Sequence, residues 1–113
     1  MKKTTINFFI DLDKENVPEN IHWQASDMNS DKPEPANAMG ISLWDHQQKN
    51  TLRIDLWTKE MSVDEMKRYV IDSIGGFGQT ILSATGDEFM SKEINDLCDR
   101  LAEHVRKEAG SEL

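Results

Sequence analysis

Residues 4–12 alternate in polarity. Ile6, Phe8, Ile10 and Leu12 fall on one side, and Asn7, Phe9 and Asp11 on the other. A period of two predicts a half-buried strand. The polar run 13–20 supplies turn residues and Pro18, a residue that interrupts pairing. Ile21, Trp23 and Ala25 then alternate with His22 and Gln24, which predicts a second strand and an antiparallel hairpin. Residues 26–37 carry Pro33 and Pro35 and little apolar besides Met28. They read as a mobile loop, long enough for a crossover. Met39, Ile41 and Leu43 mark a third strand over 38–45. Leu52, Ile54 and Leu56 alternate with Arg53, Asp55 and Trp57 in a fourth, joined to the third by the polar turn at 47–50.

The period then changes. Ser62-Val63-Asp64-Glu65 is a capping box, in which the Ser62 hydroxyl takes the Glu65 amide. Met66, Val70, Ile74, Phe77 and Ile81 recur at helical spacing up to a stop at Gly86. A second helix begins near Asp87. Its apolar stripe is Met90, Ile94, Leu97, Cys98, Leu101 and Val105, with a charged opposite face. Residues 110–113 are expected to fray. Between Tyr69 and Gly86 the only charge is Asp72, and Gly75, Gly76 and Gly78 sit mid-helix. Each glycine costs about 1 kcal/mol relative to alanine. That cost points to close approach of another backbone, the alternative being that the glycines break the helix into two short pieces, and the three are candidate self-association positions.

The expected architecture is α+β: a single domain over 1–113, with a four-stranded antiparallel sheet packed by two C-terminal helices in the order β-β-β-β-α-α. One sheet face takes the helices. The other mixes polar residues with Phe9, Trp44 and Trp57, three large aromatics on a nominally wet surface. Aromatics are favoured at interfaces. Phe9, Trp44, Arg53, Asp55 and Trp57 are therefore the candidate partner-binding residues, unless the loop 26–37 folds over the rings. The sparsely charged first helix makes a homo-oligomer the expected state.

Composition narrows the function. With 13 basic and 21 acidic residues the formal charge is −8, which disfavours nucleic acid and anionic membrane surfaces. One cysteine in 113 residues excludes an internal disulfide and multi-thiolate zinc sites. No run of about 20 apolar residues exists to insert in a membrane. Met1-Lys2-Lys3 is not followed by the uninterrupted apolar core of a signal peptide, so the expected location is cytoplasmic. Asp11, Asp13 and Glu15 resemble a calcium loop only faintly. Asn16 stands at its sixth position and His22 at its twelfth, where glycine and an acidic ligand are needed. His22, His46 and His104 are scattered. Cys98 lies on an apolar stripe beside Asp96 and Asp99, which disfavours a thiolate. Gly75-Gly76-Phe77-Gly78 lacks the lysine and serine of a phosphate loop. No catalytic residue, metal or cofactor is assigned, and no enzyme is expected.

Specific runs carry a family resemblance. They are Trp44-Asp45, the unbroken stretch from Lys49 through Leu52-Arg53-Ile54-Asp55-Leu56-Trp57 to Met61, and Val63-Asp64-Glu65-Met66-Lys67-Arg68. Asn16-Val17-Pro18-Glu19, Ile21-x-Trp23 and Ala84-Thr85-Gly86 add to them. Together they resemble the gliding motility protein GldC family over nearly the whole chain. The resemblance implies a small, soluble, non-enzymatic accessory protein of bacterial gliding machinery. It also implies action alongside other gliding-motility components, among them the lipoprotein GldB. A looser likeness is to the SecB export chaperone, which binds unfolded chains. It rests on element order and acidity alone, so it is analogy.

Overall fold

The computed structural model describes residues 1–29 and 31–111. They form five strands and two helices: β1 (Ile6–Leu12), β2 (Pro18–Ala25), β3 (Glu34–Ala36), β4 (Ala38–Trp44), β5 (Thr51–Trp57), α1 (Val63–Thr85) and α2 (Glu88–Ser111). The chain divides into two compact units, residues 1–61 and 62–113.

The α+β class and the antiparallel pairing agree with the sequence pattern. The single four-stranded sheet does not. There are two sheets, one of three strands in the order β1-β2-β3 and one formed by β4 and β5. The difference arises at Asn37. Ala36 pairs with Ile21 of β2, whereas Ala38 pairs with Trp57 of β5. At Asn37 itself the carbonyl accepts from the Thr58 amide at 2.9 Å. Within one residue the chain leaves β2 and takes β5 as partner, the way strands turn corners between sheets. The short strand β3 lies inside the segment expected to be a loop. Pro35 is tolerated there because β3 has β2 on one side only. Pro18 likewise begins a strand rather than ending the pairing, and the ladder shifts register between Asp11 and Leu12 to admit it.

The β1–β2 turn is built on Asp13. Its Oδ1 accepts from the amides of Glu15 at 2.8 Å and Val17 at 3.0 Å, and Asn16 takes a left-handed φ of 65°. Asparagine tolerates that conformation better than most side chains. Ile21, at the centre of β2, is 1% exposed.

The Ser62 half of the capping box forms, and the Glu65 carboxylate accepts from the Ser62 hydroxyl at 3.4 Å. Ser62 is extended and its Oγ accepts from the Glu65 amide at 3.1 Å. Gly86 ends α1 with a φ of 73° and bonds back to Leu82 at 2.8 Å. Asp87 opens α2 by accepting from the Met90 amide at 3.0 Å. α1 runs unbroken through its glycines. Gly78 is buried, and a Cβ there would lie 3.0 Å from Ile94 Cγ2 and 3.3 Å from Asn95 Oδ1. The glycine therefore sets how closely the two helices approach. Met66, Ile74 and Ile81 line the seam half-buried, but Val70 and Phe77 of the same stripe are exposed. Cys98 is half-buried, and its thiol faces the Ile71 carbonyl at 3.6 Å. Lys67 and Glu108 pair at 2.8 Å across the hairpin.

Candidate interaction surface

The β4–β5 register sorts its residues into two faces. Ala38 stands opposite Trp57, Gly40 opposite Asp55, Ser42 opposite Arg53 and Trp44 opposite Thr51. Side chains alternate along a strand, so these eight share one face. Met39, Ile41, Leu43, Leu52, Ile54 and Leu56 share the other. The first face thus carries Trp44 at the hairpin end, Trp57 at the far end and Arg53–Asp55 between them. The two indoles are 66% and 51% exposed. Among the described residues no loop covers them.

The polar centre is ordered. The Arg53 guanidinium donates twice to the Asp55 carboxylate, Nη2 to Oδ1 at 2.7 Å and Nε to Oδ2 at 3.3 Å. Arg53 also bonds Ser42 Oγ on β4. The ion pair runs along β5, and the cross-strand bond goes to the serine. A planar guanidinium fixed this way presents its remaining surface at a set angle beside aromatic rings. Its contribution to folding is small, since exposed pairs are worth about 0–1 kcal/mol.

Phe9 belongs elsewhere. It lies on β1 opposite His22, is 49% exposed, and is part of the other sheet. The five candidate residues therefore form a cluster of four, with Phe9 set apart. Of the three glycines, Gly78 is filled against α2, Gly75 would meet Cys98 Sγ at an ordinary 3.9 Å, and Gly76 opens onto clear space.

Two features escaped the sequence reading. An apolar groove of about 270 Å³ runs along the helical hairpin between Met66, Val70 and Ile71 of α1 and Leu101 and Val105 of α2. Met66, Val70, Leu101 and Val105 fall on the two predicted apolar stripes and Ile71 does not, and only the helix crossing decides which of them are left open. The second is the pair of Lys59 Nζ and Asp13 Oδ2 at 2.8 Å, 46 residues apart in the chain. Nothing local signals it.

The Asp13 carboxyl is lowered to about 2 from 3.8 by the Lys59 hydrogen bond first, then by the Val17 and Glu15 amides. A carboxylate with a depressed folded pKa stabilises the fold above its unfolded pKa of about 4, and that contribution is lost as pH falls through the folded value. Asp13→Asn is expected to melt below wild type by a constant margin above about pH 4. The margin should narrow between 4 and about 2 and close below that. Thermal melts of both proteins across that range check it.

Among the described residues no three His, Cys, Asp or Glu side chains gather to hold a metal ion, and no helix is long and apolar enough to cross a membrane. The acidic turn residues Asp11, Asp13 and Glu15 do not converge on one point; Asp13 is engaged by its own turn and by Lys59.

A family model described as gliding motility-associated protein GldC-like matches residues 18–107. The chain belongs to the GldC-like family. The match spans β2 through most of α2, including all of the Trp44–Arg53–Asp55–Trp57 face, and leaves β1 outside. No curated protein matches this GldC-like chain, and no solved structure matches it either. The SecB comparison accordingly remains one of element order.

Proposed function

We propose that this GldC-like chain is a non-enzymatic accessory component of a gliding-motility apparatus, working in the cytoplasm by holding protein partners. The observation that carries the reading is the β4–β5 face: two exposed tryptophans flank an arginine locked to an aspartate. Tryptophan and arginine dominate the energetics of protein interfaces, and neither ring is required to cover this chain's own core. The family's description as gliding motility-associated supports partners among gliding-motility components, and the lipoprotein GldB is the one the resemblance implies. Self-association belongs to the same reading, with the charge-poor α1 and its glycines Gly75, Gly76 and Gly78 as contributing positions.

Titration calorimetry with purified, lipid-free GldB tests it. Wild type is expected to bind, and the double substitution Trp44→Ser, Trp57→Ser to weaken binding at least about 100-fold, since interface tryptophans are worth about 2 kcal/mol or more each. Equal affinity of the two proteins would remove the face from the proposal. An absence of wild-type binding would remove the partner.

A further inference from the structure

The β1 edge offers a site for a second copy of this chain. β1 bonds β2 on one side, and among the described residues no strand lies on its other side. Exposed strand edges are normally blunted by charge, proline, brevity or irregularity. Two other open edges follow that rule: β3 is three residues long and holds Pro35, and β5 carries Arg53 and Asp55; β4 is uncharged, but Gly40 leaves a gap in its row of side chains. β1 differs. From Ile6 to Ile10 it reads Ile-Asn-Phe-Phe-Ile, with no charge, proline or glycine.

The hydrogen bonding shows which backbone groups are available. Thr5 and Ser26 form a bonded pair, since the Ser26 amide donates to the Thr5 carbonyl at 3.0 Å. Bonded and non-bonded pairs alternate along an antiparallel ladder. Ile6, paired with Ala25, is therefore non-bonded toward β2, as are Phe8 and Ile10. Ala25 agrees independently: its amide meets Met28 Sδ and its carbonyl accepts from the Met28 amide. The N–H and C=O groups of Ile6, Phe8 and Ile10 consequently point outward along the open edge.

We propose that two copies of this chain pair β1 to β1 in antiparallel fashion about a two-fold axis at Phe8. Phe8 then meets the partner's Phe8, and Ile6 meets the partner's Ile10 in both directions. Three bonded pairs supply on the order of six hydrogen bonds. The register is self-complementary in chemistry as well. It joins the exposed Ile6–Phe8–Ile10 row of one copy to the same row of the other. Outward groups on alternate residues exclude a one-residue slip, and of the registers two residues apart this one centres the uncharged run from Ile6 to Ile10 on itself, short of the irregularity between Asp11 and Leu12. The inference does not depend on the β4–β5 partner face, and failure of the tryptophan test leaves it standing.

Cysteine pairing tests it in a Cys98→Ser background. Asn7 of one copy faces the partner's Phe9 at a closely spaced, non-bonded position. Asn7→Cys and Phe9→Cys chains mixed together should form a disulfide-linked dimer on mild oxidation, and each alone should not. A second variant reads the edge itself. Phe8→Pro removes an outward amide while sparing the ladder to β2, so the sedimenting mass should halve with the strand circular dichroism retained. Linking by either cysteine variant alone as readily as by the mixture would overturn the register. A wild-type chain that sediments as a monomer at high micromolar concentration would overturn the pairing.

Discussion

Ile21→Ala is expected to destabilise residues 1–61 by about 2–5 kcal/mol, the range for truncating a buried isoleucine in a site that cannot collapse. Ile21 and Thr58 are the two largest side chains with under 2% exposure. Ile21 sits on the central strand, flanked by Ile10 on β1 and Ala36 on β3. Its neighbours along the ladder are far less covered; Ile6 is 60% exposed. One residue therefore carries a disproportionate share of the strand unit's buried apolar area. A loss of this size is a large fraction of the about 5–15 kcal/mol that keeps a domain folded. The measurement is direct because all three tryptophans, Trp23, Trp44 and Trp57, lie in residues 1–61. Urea unfolding followed by tryptophan fluorescence should shift its midpoint to markedly lower urea. A midpoint unchanged from wild type would mean that Ile21 is not the centre of this core.

The contrast between β1 and β3 shows what the sequence could and could not reveal. β1 is seven residues with an unbroken period of two, although its apolar row stays exposed in the single chain. Such a strand is legible because the alternation repeats the same instruction at every second position. β3 is three residues, Glu34-Pro35-Ala36, and no periodicity can be read from so few. What holds it is its pairing to β2, which is non-local. The same reason hid the split into two sheets. The switch of partner at Asn37 depends on where β2 and β5 lie, and no residue near position 37 records that. The capping box and Gly86 were legible because the groups involved lie within four residues of one another.

The candidate surface divides along the same line. Trp44, Arg53, Asp55 and Trp57 come together because a short turn fixes the β4–β5 register and strand alternation does the rest. Phe9 shares their polarity pattern but belongs to another sheet, and assigning it needed strand order rather than periodicity. Asp13–Lys59 was invisible for an equivalent reason. It joins the β1–β2 turn to the residues just after β5, two places whose adjacency only the fold creates.

Substitutions at two nearby glycines of α1 are expected to have opposite effects on residues 62–113. Gly76 opens onto clear space. Alanine there gains helix propensity and meets nothing, so Gly76→Ala should stabilise by about 0.5–1 kcal/mol. Gly78 has a Cβ position only 3.0 Å from Ile94 Cγ2. That atom belongs to a β-branched side chain with restricted freedom to turn away. The clash offsets the gain in propensity for alanine, and a larger side chain has no room without parting the helices. Gly78→Leu should therefore destabilise by about 1–3 kcal/mol, the usual cost of overfilling a packed seam. Helical circular dichroism during thermal unfolding reads both changes, with the Gly76 variant melting above wild type and the Gly78 variant below it. The glycines in α1 then have separable roles, one structural and buried, the other costing stability without an intrachain contact in return. If Gly78→Leu melts with wild type, the close helix approach at Ile94 is not what the glycine provides. If Gly76→Ala melts lower, position 76 does not stand open and the predicted gain in helix propensity is wrong.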